Sequence, residues 1–321
     1  MSRKTLLFAA SLLFIAASYA HAGLIEPLPA IAPIPQDNTM TADKVELGKM
    51  LFFDPRLSGS NWISCATCHN PAMGYTDRLP RALGHAMSQG PRNTPTVLNA
   101  AFISSQFWDG RAATLEDQAL GPIQADVEMK QTLGGAVQNL KKVPEYVASF
   151  TKVFGGDDPV SPANIAKAIA AFERTLITPN SPYDRSLQGD KAALSAQAEK
   201  GFDLFQKKGC VACHNGPALT DGGYHIIHVP GSVDLGRYNV TKEESDKYAF
   251  RTPTLRNVEL TSPYFNNGSV NTLHEAVSVM GAEALNTKLS PDEVDALVAF
   301  LVSLTGEQPR FEYPRLPSTK Y

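Results

Sequence analysis

Four cysteines, placed in two Cys-x-x-Cys-His runs, constrain this chain more than any other feature. Cys65-Ala-Thr-Cys68-His69 and Cys210-Val-Ala-Cys213-His214 use every cysteine of the 321 residues, so none remains for a disulfide framework. Two thiols three positions apart on one helical turn can each add to a vinyl group at the same porphyrin edge, and the histidine that follows can then reach the iron. A redox Cys-x-x-Cys pair would not require a histidine directly after it in both copies. A zinc site would need a fourth ligand for each cluster. The chain therefore reads as one that binds two c-type haems covalently, through Cys65 and Cys68 and through Cys210 and Cys213, with His69 and His214 as the proximal iron ligands.

Covalent haem attachment fits an exported protein, and the first residues read as an export signal. Arg3 and Lys4 precede an apolar run from Leu6 to Ala17, and Ala20-His21-Ala22 places small residues at a cleavage site before Gly23. The run is short of the roughly 20 residues that span a bilayer, so no membrane anchor is expected. Residues 1–22 are thus read as a cleaved signal, and the periplasm as the location. Loss of Arg3 and Lys4 makes the formal charge of −3 more negative still, and no basic stripe argues for nucleic acid. A hydrophobic content of 43% over this length supports two cores and leaves disorder only for the Pro-rich stretch Glu26 to Gln36 and the residues after Gly306.

The surroundings of the two motifs echo each other. Cys65-Ala-Thr-Cys-His-Asn-Pro-Ala-Met-Gly-Tyr-Thr-Asp77 resembles Cys210-Val-Ala-Cys-His-Asn-Gly-Pro-Ala-Leu-Thr-Asp221, which points to a duplicated haem domain. Apolar spacing predicts a helix before each motif, over Ala42 to Phe53 and Ser195 to Gln206. Ser161-Pro162 predicts a capped helix with Ile165, Ile169, Phe172 and Leu176 on one face. Thr272 with Glu275, and Ser290 with Glu293, fit the capping box that opens two more helices. The expected fold is mostly α, with two cytochrome c-like haem domains carrying long loops: residues 23–178 and 179–307, a linker at Thr178-Pro-Asn-Ser-Pro182, and a C-terminal tail over 308–321.

Function then turns on the second axial position of each iron. After Cys213 the chain has one methionine, Met280, near the end of the helix opened by Thr272. For the first haem the candidates are His85, Met73, Met87 and Met129. His85 lies in Leu83-Gly-His-Ala-Met-Ser-Gln-Gly90, a loop whose glycines permit movement. His225 and His228 fall in a polar loop and His274 in a helix's first turn, which makes them weaker candidates.

Further segments carry a resemblance to a family. Gly90-Pro-Arg-Asn-Thr-Pro-Thr-Val-Leu-Asn99, Gln106-Phe-Trp-Asp-Gly-Arg111, Gln124-Ala-Asp-Val-Glu-Met129 and Leu255-Arg-Asn-Val-Glu-Leu-Thr-Ser-Pro-Tyr-Phe265 resemble the signatures of the bacterial di-haem cytochrome c peroxidases, over nearly the whole mature chain. The resemblance implies that His85 is a displaceable distal ligand of the His69 haem and that Met280 is the distal ligand of the His214 haem. It implies that Trp108 stands between the haems, that Glu128 is the acid/base beside the peroxide, and that a calcium ion is held by Asn93, Thr261 and Pro263. At Asn266 the chain departs from the pattern, since many relatives carry a histidine there.

The same resemblance implies hydrogen peroxide as substrate, a mono-haem cytochrome c or a cupredoxin as electron donor, and a homodimer. The first haem would be the peroxidatic, low-potential one and the second the high-potential one that receives electrons. Three other functions remain open to such a chain. A plain electron carrier would keep both irons six-coordinate. A relative that oxidises tryptophans of a partner protein shares the architecture but carries tyrosine at the place of Met280 and lacks the distal histidine. An oxidase of organic substrates would need a motif that is not found.

Overall fold

The computed structural model describes residues 26–310 and 312–318; the export signal read at residues 1–22 lies outside them. Eleven α-helices and one two-stranded sheet make up its regular structure: α1 (Ala42–Phe53), α2 (Cys65–Cys68), α3 (Leu115–Gln124), α4 (Leu133–Lys141), α5 (Pro144–Phe154), α6 (Pro162–Glu173), α7 (Pro182–Leu187), α8 (Ala196–Lys207), α9 (Tyr238–Thr241), α10 (Leu273–Leu285) and α11 (Pro291–Val302), with β1 (Tyr224–Ile226) and β2 (Ala249–Arg251). The strands pair antiparallel, with His225 opposite Phe250. Among the described residues no helix is long and apolar enough to cross a membrane.

Side-chain chemistry sets the helix starts. Ser161 and Ser290 each accept from a backbone amide three residues on, with proline in the first turn behind them, and Ser290 and Glu293 complete the reciprocal box. Thr272 accepts from the Glu275 amide. The helix it opens runs five residues past Met280, which therefore lies in its body rather than at its end.

Among the described residues two large hydrophobic cores form, with a small third cluster of Ala100, Leu115 and Ala170. The first draws its buried residues from Leu47 to Leu176, the second from Tyr183 to Leu304. Each is built on a close crossing, of α1 on α6 and of α8 on α11. A Cβ on Gly48 would stand 1.8 Å from the Ala168 carbonyl oxygen, and one on Gly201 would stand 1.9 Å from that of Ala296. Only glycine lets the backbones come so near. We expect Gly201→Ala to lower stability by about 1–3 kcal/mol through this overlap, against the roughly 0.5–1 kcal/mol that alanine gains by helix propensity. The urea midpoint of the holoprotein would read the balance, and an unchanged or higher midpoint would contradict the crossing.

The internal repeat extends well beyond the haem motifs. Thr94-Pro-Thr-Val-Leu-Asn99 returns as Thr252-Pro-Thr-Leu-Arg-Asn257, and Gln106-Phe-Trp-Asp-Gly110 as Tyr264-Phe-Asn-Asn-Gly268. The backbone repeats with it: Asn99 and Asn257 take φ of 61° and 59°, Phe107 and Phe265 both take 68°, and the bridges Gln106 to Ala112 and Tyr264 to Val270 match. By this correspondence Trp108 and Asn266 occupy equivalent positions.

Thr178-Pro-Asn-Ser-Pro182 differs from an open linker. Thr178 and Ser181 are fully buried, and the two repeat-related asparagines, Asn99 and Asn257, both donate to Thr178 Oγ1 at 2.8 Å. Beside it the buried pair Arg256 and Asp184 meets at 2.7 Å, and Asp184 also accepts from the Leu28 amide. The segment is thus a bonded seam, and it draws in the Pro-rich N-terminal stretch, where Leu28 and Ala32 are buried. The residues after Gly306 also bond back: the Glu307 amide donates to Pro179 O, and the Tyr313 ring meets Phe53 of α1 edge-on at 5.4 Å.

Candidate haem sites and the interface between them

Each Cys-x-x-Cys-His run makes one short turn that bends back on its own continuation. The His69 amide bonds to Cys65 O and the His214 amide to Cys210 O, which sets both cysteines and the histidine at one place. The chain then folds so that His69 Nδ1 lies 3.2 Å from Tyr75 O and His214 Nδ1 lies 3.3 Å from Leu219 O. A carbonyl can only accept, so each Nδ1 carries the proton and each Nε2 keeps its lone pair free for a metal. Burial pulls the pKa of both imidazoles down, that of His214 to about 4, so both are neutral, as iron ligands must be.

The second site opens into a cavity of about 530 Å³ lined by Cys210, Cys213, His214, Met280 and apolar side chains of α8, α10 and α11. Proximal histidine and methionine thus face the same space. Arg251 lines it as well. Its side chain is buried and donates to the Phe107 and Thr252 carbonyls, and among the described residues it has no carboxylate partner. An uncompensated buried guanidinium is costly, and an acidic group entering the cavity would offset that cost. Two thiols, a neutral imidazole, a thioether, an apolar wall and an unpaired arginine suit a haem, whose propionates would supply the missing charge. His225, read from sequence as part of a polar loop, lies in β1 with Asp221 at 2.7 Å, and the two approach Cys213. Cys213 is also the second cysteine of the Cys-x-x-Cys-His run, so this trio overlaps the haem-binding motif.

At the first site the distal candidates separate by burial. Met73 and Met87 are exposed, and Met129 belongs to the first core. His85 sits on a tight turn with Ala86 and Met87 at φ of 53° and 61°, and its Nδ1 is buried without a hydrogen-bond partner among the described residues. The turn is tied to the Glu128 segment, since the His85 amide donates to Glu128 O at 2.7 Å. A Cβ on Gly84 would fall 2.1 Å from Val127 O, so the two loops touch backbone to backbone. Burial chiefly pushes the Cys65 and Cys68 thiols up, and nearby negative charge, including that of the half-buried Glu128 carboxylate, adds to the rise. Burial raises its own pKa, with Arg111 pulling the other way.

Between the sites the second unit lays β1 and β2 against residues 104–111 of the first. Tyr224 Oη meets Ser105 Oγ at 2.8 Å, and the Arg251 amide donates to Trp108 O at 2.8 Å. Trp108 lines the second cavity and donates its indole N–H to Asn93 O at 2.9 Å. Asn93, Thr261 and Pro263, the residues assigned to calcium by resemblance, line that same cavity. The Asn93 side chain donates Nδ2 to Leu79 O, which leaves Oδ1 as its ligand atom. Asn266 donates to Ser232 Oγ and, at 3.4 Å, to Asp234 Oδ2.

Two of the residues that build the interface, Arg92 and Arg251, stand outside the sequence-based site. The repeat of Asn93-Thr-Pro as Arg251-Thr-Pro253 was the one signal that could have marked Arg251.

Residues 42–192 match the family described as di-haem cytochrome c peroxidase, and residues 198–305 match that of cytochrome c. The chain is 48% identical to the cytochrome c551 peroxidase of Pseudomonas aeruginosa, over 92% of this chain and 88% of that one. It is 46% identical to the cytochrome c551 peroxidase of Nitrosomonas europaea, over 99% and 96%. Among solved structures it is similar to a MauG-like protein associated with microbial copper homeostasis, at 30% identity and a TM-score of 0.81, over 91% of this chain and 98% of that one.

Proposed function

The chain belongs to the di-haem cytochrome c peroxidase family, and on that premise we propose that it reduces hydrogen peroxide to water in the periplasm with electrons from a small donor, a mono-haem cytochrome c or a cupredoxin. The observation that carries this reading is the asymmetry of two repeat-related sites. One cavity is lined by both Met280 and His214, whereas the other site has a histidine on a glycine-flanked turn whose amide bonds to the backbone of the half-buried Glu128. An electron carrier would need two closed sites of the first kind.

When bound, the haems supply the stored electrons and the open iron position that peroxide reduction requires. The protein's residues divide the remaining work. His69 and His214 would hold the two irons. Met280 would supply a sulfur donor at the second site, which favours the reduced state. His85 would cap the first site in the oxidised protein, on a turn that can move. Glu128 takes a proton from bound peroxide at its carboxylate and returns it to the departing oxygen. Each peroxide takes up two electrons and two protons and yields two waters.

Trp108 lies on the path between the units. Calcium, held by Asn93 Oδ1 and the Thr261 and Pro263 carbonyls, would pin that path at Asn93, and neutral oxygens of this kind are the ligands calcium accepts. Export by residues 1–22 and a homodimeric assembly complete the proposal.

The test is peroxide turnover with a reduced cytochrome c, comparing fully oxidised with half-reduced protein while the haem spectrum is followed. Turnover that begins only after one-electron reduction, together with a five-coordinate high-spin signal, is the expected result. Two haems that stay low-spin in both states, with no turnover, would leave an electron carrier.

A further inference from the structure

Arg92 lies in the segment Gly90 to Asn99 that carries the family resemblance, which gives it no role, yet it meets both units at the interface. Its Nη1 bonds to Asp109 Oδ2 at 2.5 Å, and its Nε and Nη2 bond to the two oxygens of Asp234 at 2.6 and 3.0 Å. Asp109 belongs to the first unit and Asp234 to the second. Among the described residues, Arg92 with Asp234 is the one salt bridge that joins the two. All three side chains are largely buried, at 13%, 5% and 18% exposure, so solvent screens the contact little.

The chain neighbours of these groups supply the consequence. Asp109 follows Trp108, and Asn93 follows Arg92. The indole N–H of Trp108 donates to Asn93 O, so the pair 92–93 grips the pair 108–109 at two points, one ionic and one through the indole itself. The second unit fastens the other side: the Arg251 amide donates to Trp108 O, Arg251 Nε to Phe107 O, and Arg237 Nη1 to Asp109 O at 3.1 Å. The Asn93 amide donates to Asn266 O at 2.8 Å, which ties the grip to the second unit once more. Only a planar fork with donors on two edges can bond two carboxylates in this way; a lysine ammonium can meet one of them well.

We propose that Arg92 is a positioning residue for electron transfer between the haems, because it holds the Trp108 indole in one orientation across the boundary between the units. The proposal rests on reading Trp108 as the residue on the electron path. Arg92 acts only through Asp109, Asp234 and the Asn93 carbonyl.

The test uses the holoprotein and its Arg92→Lys variant. The chain has two tryptophans, and Trp62 is 54% exposed, so it serves as an internal reference. Loss of a charge-assisted bond should speed hydrogen exchange at the Trp108 indole by roughly tenfold or more, with Trp62 unchanged, as read by NMR of protein labelled with nitrogen-15 at the indoles. The rate of electron transfer from the second haem to the first, followed after rapid reduction of the second, should fall about as much. Both midpoint potentials should stay where they are. Unchanged indole exchange and transfer in the variant would overturn the role of Arg92. Wild-type transfer rates in a Trp108→Phe protein would instead overturn the reading of Trp108, and the present inference with it.

Discussion

A Met280→His protein is expected to hold its second haem at a midpoint potential lower by on the order of a few hundred millivolts, and to lose turnover with a cytochrome c donor. Met280 lies in the body of α10, its side chain faces the cavity that His214 faces, and no other methionine follows Cys213. A thioether is a weak donor that stabilises the reduced metal, whereas imidazole stabilises the oxidised one, so the exchange of one for the other moves the potential down. A donor poised for a high-potential acceptor would then find the first step uphill. A strong chemical reductant bypasses that step, so peroxide turnover driven by such a reductant should survive. Spectroelectrochemical titration reads the potential directly. A second-haem potential that did not move would remove Met280 from the iron and return it to the core of the second unit.

The parts of this site that were legible in the sequence are those whose chemistry is local. A Cys-x-x-Cys-His run states its ligand set within five positions, and a Ser-Pro step states where a helix begins, because the hydroxyl and the orphan amides lie in the same turn. What was not legible depends on distance along the chain. Arg92 meets Asp234 across 142 positions and Arg251 meets Phe107 across 144, and nothing in the residues beside either arginine shows that distant partner. Thr178-Pro-Asn-Ser-Pro182 has the composition of a linker, yet its hydroxyls are the buried acceptors for asparagines from both repeats. Polar residues in a turn look alike whether water or protein satisfies them.

The repeat is plain in sequence only at its haem motifs, whereas Thr94 to Gly110 and Thr252 to Gly268 share a backbone path more closely than they share residues. That divergence is where function separates the two units. Trp108 and its counterpart Asn266 are joined through Asn93, whose carbonyl accepts from the indole and whose amide donates to Asn266 O. Pro122, inside α3, stands where the same register places Met280 in α10, so the first unit has no methionine to offer at that position. Its helix ends at Gln124, and the chain turns instead into the segment that brings the Glu128 backbone against the His85 turn.

Glu128→Gln is accordingly expected to lower peroxide turnover by about 100-fold or more while both haems and their potentials remain, since a positioned acid or base contributes on the order of 10²–10⁴ in rate. The glutamine keeps the shape of the side chain and the backbone contact from the His85 amide to Glu128 O, so the turn that carries His85 is left intact. What it loses is the carboxylate. The role assigned to Glu128 begins with its ionised form, and burial raises its pKa above the ordinary glutamate value. Turnover of the wild-type protein should therefore fall, as pH drops, at a higher pH than an exposed glutamate would give, because protonation removes the base. In the glutamine variant that acid limb should vanish from the remaining activity. Arg111 opposes the upward shift, so Arg111→Ala should move the limb to higher pH still. A pH–rate profile of the three proteins, under saturating donor, decides the matter. Full turnover in Glu128→Gln, or an acid limb that persists in it, would take the proton transfer away from this carboxyl.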